Sequence, residues 1–162
     1  MLATDSPKRV FPGLAAFHER IAPFGYPLMR IAAGAIIMPH AFPKLFGSFA
    51  PVLAKNVLAP LGFLDFPDPL FWAYFLGVLE LVGGGLLVLG LLTRVAALGL
   101  AIETAIITYF VAMPKGWFYA SPGGGAEFPA ILTLLYLGIL LAGPGRCALD
   151  RLVAKRWSIG IL

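Results

Sequence analysis

Four stretches of nearly unbroken apolar residues, about 26–46, 70–92, 95–113 and 127–143, are separated by short polar or glycine- and proline-rich breaks. A bilayer core about 30 Å thick takes roughly 20 apolar residues of helix. Each stretch therefore reads as a membrane-crossing helix, the last two slightly short. The breaks have clear punctuation: Gly47 to Pro69 is a longer loop with proline, Leu92-Thr93-Arg94 is a tight turn, and Met113 to Ala126 holds Pro114, Pro122 and Gly123-Gly124-Gly125. Gly143-Pro144-Gly145 stops the fourth stretch. Residues 13–22 set Leu14, Phe17 and Ile21 at helical spacing opposite His18, Glu19 and Arg20, which fits a short interfacial helix leading into the first span. A plain helix entry fits equally well. Pro51 to Ala59 suggests a second surface helix in the outer loop.

The expected fold class is all-α: a polytopic membrane protein, a four-transmembrane-helix bundle with a short N-terminal interfacial helix. It divides into an N-terminal segment (1–25), a transmembrane domain (26–143) and a C-terminal tail (144–162).

Composition excludes a soluble alternative. Of 162 residues 60% are hydrophobic and 12% charged, with mean hydropathy +0.91, against about a quarter charged in soluble domains. The first residues lack an uninterrupted apolar run followed by a cleavage site, so the first span is expected to direct insertion itself. The net charge of +4 sits in short segments beside the spans and reads as topology, not as nucleic-acid affinity. Lys8, Arg9, Arg20, Arg94, Arg146, Arg151, Lys155 and Arg156 fall on one side, with Arg30 just inside it, against Lys44, Lys55 and Lys115 on the other. The positive-inside rule makes the first side cytoplasmic and places both termini there. Trp72, Trp117, Tyr119 and Trp157 fall near the expected interfaces and read as anchors.

Ionisable residues inside the spans carry the chemistry. Each costs at least about 2.5 kcal/mol at the bilayer centre if unpaired. Counting about 1.5 Å per residue from the cytoplasmic ends puts Glu103 roughly 12 Å deep, Glu80 roughly 18 Å, His40 about 21 Å, Glu127 about 24 Å and Lys44 about 27 Å. Two layers result: an outer one of His40, Lys44, Glu80 and Glu127, and an inner ion pair of Arg30 with Glu103. His40 and Lys44 share a helix face. Gly77 and Gly84 flank Glu80, and Gly99 and Ala96 precede Glu103, so both carboxylates are expected at close helix contacts. The layers fit two readings: ion pairs that hold the bundle together, or a polar pocket for a small molecule.

The series Arg30-x-x-x-Gly34, His40, Lys44-Leu45-Phe46-Gly47, Gly77-x-x-Glu80-x-x-Gly83-Gly84, Gly90-Leu91-x-Thr93-Arg94-x-Ala96-Ala97, Gly123-Gly124-x-x-Glu127 and Gly143-Pro144-Gly145-Arg146-Cys147-Ala148-Leu149-Asp150 resembles the DoxX family of bacterial membrane proteins. Ala41 departs from the glycine common after the histidine, and Cys147-Ala148 from a more usual Tyr-Ser. The resemblance implies a four-helix inner-membrane fold and a link to thiosulfate:quinone oxidoreductase and to complexes handling quinones, thiols or oxidative stress. Wider relatives act as cargo receptors or assembly chaperones without redox chemistry.

Two functions follow as expectations. In the first, the chain is a membrane subunit of a redox complex that binds a quinone or another small molecule, with His40 and Glu80 as proton partners and Lys44 and Glu127 as electrostatic support. In the second it is a non-catalytic adaptor or assembly factor whose buried charges are structural. The first implies a membrane or cytoplasmic redox-protein partner, the second a docked partner chain, and a homo-oligomer is the alternative. No self-contained redox centre is expected: a single cysteine excludes a cysteine-ligated cluster within one chain, and one intramembrane histidine excludes bis-histidine haem. No metal site is expected, because Lys44 beside His40 would repel a cation. A proton-coupled carrier ranks last, for want of an internal repeat.

Overall fold

The computed structural model describes residues 12–64, 68–118 and 120–157. Lys8, Arg9 and Tyr119 lie outside them. Every regular element among the described residues is helical. Three helices are long and apolar enough to cross a membrane: α1 (Ala15–Leu45), α3 (Pro69–Leu89) and α4 (Thr93–Lys115). Two apolar helices are shorter, α2 (Phe49–Gly62) and α5 (Glu127–Ala142), and α6 (Leu149–Trp157) closes the described chain.

The first departure from expectation lies in α1. It is one unbroken helix of 31 residues that runs through Pro23, Pro27, Pro39 and Pro43, so residues 15–22 continue the first span and form no separate interfacial helix. Each proline removes one backbone hydrogen bond and tends to bend a helix, but membrane helices tolerate it where neighbours answer the freed groups. The outer loop is mostly the helix α2, seated through Ala50, Ala54 and Leu58 on Ala73 of α3. Trp72, half-buried, packs against the same cluster, in edge contact with Phe71 and Phe75.

α1 packs along α3 and α4 along α5. Between lipid-facing surfaces there is little hydrophobic drive, so small residues set the approach. A Cβ on Gly34 would strike the Gly84 carbonyl oxygen, and one on Gly84 would stand 2.7 Å from that of Gly34. The remaining core gathers Ala33 and Ile37 of α1, Leu87 of α3, Ala96, Ala97, Leu100 and Ala101 of α4, and Leu132, Tyr136 and Ile139 of α5. The Tyr136 hydroxyl donates to the Ala33 carbonyl at 3.1 Å and ties α5 to α1.

The turn between α3 and α4 is built by local chemistry and then latched from afar. Gly90 takes φ +68°, and the Leu91 and Gly90 amides donate to the Leu86 and Leu87 carbonyls, a Schellman closure. Leu92 also has positive φ, at +47°. The Asp150 carboxylate accepts from the amides of Leu92 (2.7 Å) and Thr93 (3.0 Å) and from the Thr93 hydroxyl (2.8 Å), so a residue from α6 caps the start of α4.

Candidate functional site

Lys44 comes from the last turn of α1, where it is buried, and its ammonium forms an ion pair with the Glu80 carboxylate of α3. It also donates to the His40 carbonyl at 3.2 Å. Glu80 is 2% exposed and Lys44 7%. The ammonium can approach because Gly77 leaves room: a Cβ there would sit 3.0 Å from the Lys44 and Leu45 side chains. Glu80 itself lies in a π-helical turn, Leu79–Gly83, a local widening that is rare in helices and frequent at functional positions.

The expected inner ion pair is not formed. Arg30, fully buried, donates from Nη1 to the Pro144 carbonyl and from Nη2 to the Cys147 carbonyl at 3.0 Å. It sits beside Gly90, where even a Cβ would meet the guanidinium. Arg30 is thus level with the end of α3 and the chain after α5, where irregular carbonyls need donors. Glu103 instead belongs to the Lys44 layer: it lines a cavity with Lys44 and feels the charges of Glu80 and Lys44. The turn explains the shift. Glu80 stands eleven residues before Leu91 and Glu103 eleven after Leu92, and in a helical hairpin residues equidistant from the turn lie at equal depth. Depths counted from the apolar boundaries missed this symmetry.

Glu103 is 4% exposed, and both of its carboxyl oxygens lack a hydrogen-bond partner. Thr104 beside it is satisfied by the Leu100 carbonyl at 2.8 Å and receives the Thr133 hydroxyl at 3.0 Å, a link to α5.

Two cavities flank the Lys44–Glu80 pair. The outer one, about 220 Å³, is lined by His40, Glu80, Thr104, Lys115, Phe128 and the Gly123–Gly125 backbone. The other, about 170 Å³, lies between α2, α3 and α4 and has Lys44 and Glu103 in an otherwise apolar wall. Glu127 lines neither; with His40, Phe128 and Ile131 it borders a neighbouring surface groove. Of the four outer-layer candidates the structure therefore joins Lys44 to Glu80, sets His40 and Glu80 around one cavity, and leaves Glu127 next door.

The His40 ring stacks on Phe128 with centroids 6.1 Å apart. Its Nδ1 lies 3.2 Å from the Ile36 carbonyl, which can only accept. In the neutral ring Nδ1 therefore carries the proton and Nε2 is left as an acceptor. No group of three or more histidine, cysteine or acidic side chains suited to a metal occurs among the described residues.

The DoxX family model matches residues 25–113. An uncharacterised protein of Haemophilus influenzae is 36% identical over 139 residues, covering 85% of this chain and 97% of its own length. An uncharacterised membrane protein of Mycobacterium tuberculosis is 37% identical over 140 residues, 79% of this chain and 80% of that protein. CatD of Bacillus subtilis, provisionally named an oxidoreductase, is 32% identical over 130 residues, 79% of this chain and 86% of its own. No solved structure matches the chain.

Proposed function

The chain belongs to the DoxX family of membrane proteins, and from that premise we propose that it is the ligand-binding membrane subunit of a bacterial redox complex. In this reading α1, α3, α4 and α5 all cross the inner membrane, both termini are cytoplasmic, and a quinone or similar small molecule binds in the outer cavity. The observation that carries it is the meeting of His40 and Glu80 on one cavity wall, with Glu80 held in place by Lys44. A volume of about 220 Å³ suits one ring, since an apolar cavity of about 150 Å³ holds benzene.

The lining residues fit a quinone head. Lys115 and a protonated His40 offer donors to its oxygens, and His40 and Glu80 exchange protons. The bound quinone would supply the two-electron chemistry, and a partner protein would supply or accept the electrons. The provisional name of the Bacillus subtilis relative agrees in kind.

A second reading, a non-catalytic adaptor, draws on the fact that Lys44 and Glu80 already satisfy one another. Extraction and mass spectrometry of lipids from protein purified in mild detergent separates the two. The redox-subunit reading expects near-stoichiometric quinone, lost at least about tenfold in His40→Ala with the fold unchanged. A folded wild-type protein free of quinone, bound to a stoichiometric protein partner, would establish the adaptor instead.

A further inference from the structure

The cavity between α2, α3 and α4 lies across the Lys44–Glu80 pair from the outer pocket and has a different character. Trp72, Phe75, Leu79 and Ile106 are among its apolar lining residues, and only Lys44 and Glu103 bring charge to it. Glu103 is more than nine-tenths buried, and its two oxygens have no partner. An unsatisfied buried polar group is costly, the more so in a low-dielectric interior, so these oxygens mark a place where a guest supplies what the protein withholds.

The chemistry of the wall narrows the guest. Lys44 has three N–H donors and spends two of them on Glu80 and the His40 carbonyl. The Glu103 oxygens need a donor. A hydroxyl meets both needs in one atom, donating to Glu103 while accepting from Lys44. A carbonyl oxygen only accepts, so it leaves an acceptor oxygen of Glu103 without a donor, whereas a hydrocarbon answers neither. The volume of about 170 Å³ is close to that of a cavity that admits benzene, and the aromatic and branched lining suits a flat ring. We infer that this cavity is a second binding site, specific for a single aromatic ring bearing a hydroxyl, a phenol-class ligand, with Glu103 as acceptor and Lys44 as donor. The site is distinct from the outer pocket, although Ile107 and Val111 line both.

Matched probes test it. Thermal unfolding of the full chain in detergent, titrated with 4-methylphenol and with toluene, compares two molecules of similar shape that differ by the hydroxyl. A hydrogen bond to a charged group corresponds to on the order of tenfold to a hundredfold in affinity. The wild-type protein is expected to prefer 4-methylphenol by at least about tenfold, and Glu103→Leu to bring the two probes to parity. Ile106→Phe, which fills the cavity, should abolish the response to both. His40→Ala, on the other side of the ion pair, should change neither. Equal binding of the probes to wild type, a preference that survives Glu103→Leu, an undiminished response in Ile106→Phe, or loss of the phenol on His40→Ala would each overturn the assignment. Where Glu103→Leu fails to fold, the wild-type preference and the Ile106→Phe response decide the matter together.

Discussion

Lys44 stands between two buried carboxylates, and removing it should cost far more than its surface suggests. Lys44→Met would leave Glu80 without its cation, a loss of about 3–5 kcal/mol by analogy with other broken buried pairs. The double variant Lys44→Met/Glu80→Gln carries no orphaned charge from the pair and should recover much of that stability. Equilibrium unfolding in detergent measures both, and equal losses in single and double variants would mean that the ion pair carries no such weight. Glu103→Leu makes the opposite point. Because it replaces two unanswered oxygens with hydrocarbon, the ligand-free protein should be at least as stable as wild type, read as an unchanged or higher melting temperature.

Among the helices, the approach of α1 to α3 depends on the absence of side chains at one crossing. Gly34→Ala drives a methyl group into the Gly84 backbone and is expected to destabilise by about 1–3 kcal/mol, the usual range for overpacking. Gly85→Ala, where a Cβ meets nothing within 4 Å, should instead be neutral or gain up to about 1 kcal/mol from helix propensity. The same unfolding assay distinguishes Gly34 from Gly85, and similar losses at both would argue against a tight crossing. The spacing of Gly77 and Gly84 around Glu80 marked a close helix contact beforehand, though not its partners Gly34 and Lys44 on α1. Other features of the helices were not legible. The polar face His18-Glu19-Arg20 suggests a separate short helix ahead of the first span, yet α1 runs on from Ala15 through four prolines, since each proline removes only a single hydrogen bond. The π-helical turn around Glu80 adds its extra residue without disturbing the apolar run, so periodicity gives no sign of it.

For the molecule as a whole, the sequence predicted the membrane-embedded helical fold and a layer that sets Glu80 against His40 and Lys44, because burial of charge in an apolar span demands a partner. It did not predict which carboxylate lies level with which cation. That depends on the turn at Leu91 and Leu92 and on the latch formed by residues 144–150, which are long-range facts invisible to a count of residues along one helix. The latch has its own signatures. Asp150→Ala removes the cap from α4 and should cost about 1–2 kcal/mol, with faster amide hydrogen exchange at Leu92 and Thr93; unchanged exchange there would contradict the capping role. Cys147 is exposed at the same end, so a membrane-impermeant maleimide should label it in inverted vesicles and spare it in intact spheroplasts. Labelling from outside would reverse the proposed orientation.

The latch also dictates an order of events during biosynthesis. Translation proceeds at about 5–20 residues per second, so the carbonyls that answer Arg30 and the carboxylate that secures Leu92 are made several seconds after the groups awaiting them. Until then the inserted helices hold a buried guanidinium and a strained bend with nothing to close on. A ribosome that stalls before Gly143 therefore releases an unlatched chain, conspicuous to the proteases that survey the membrane.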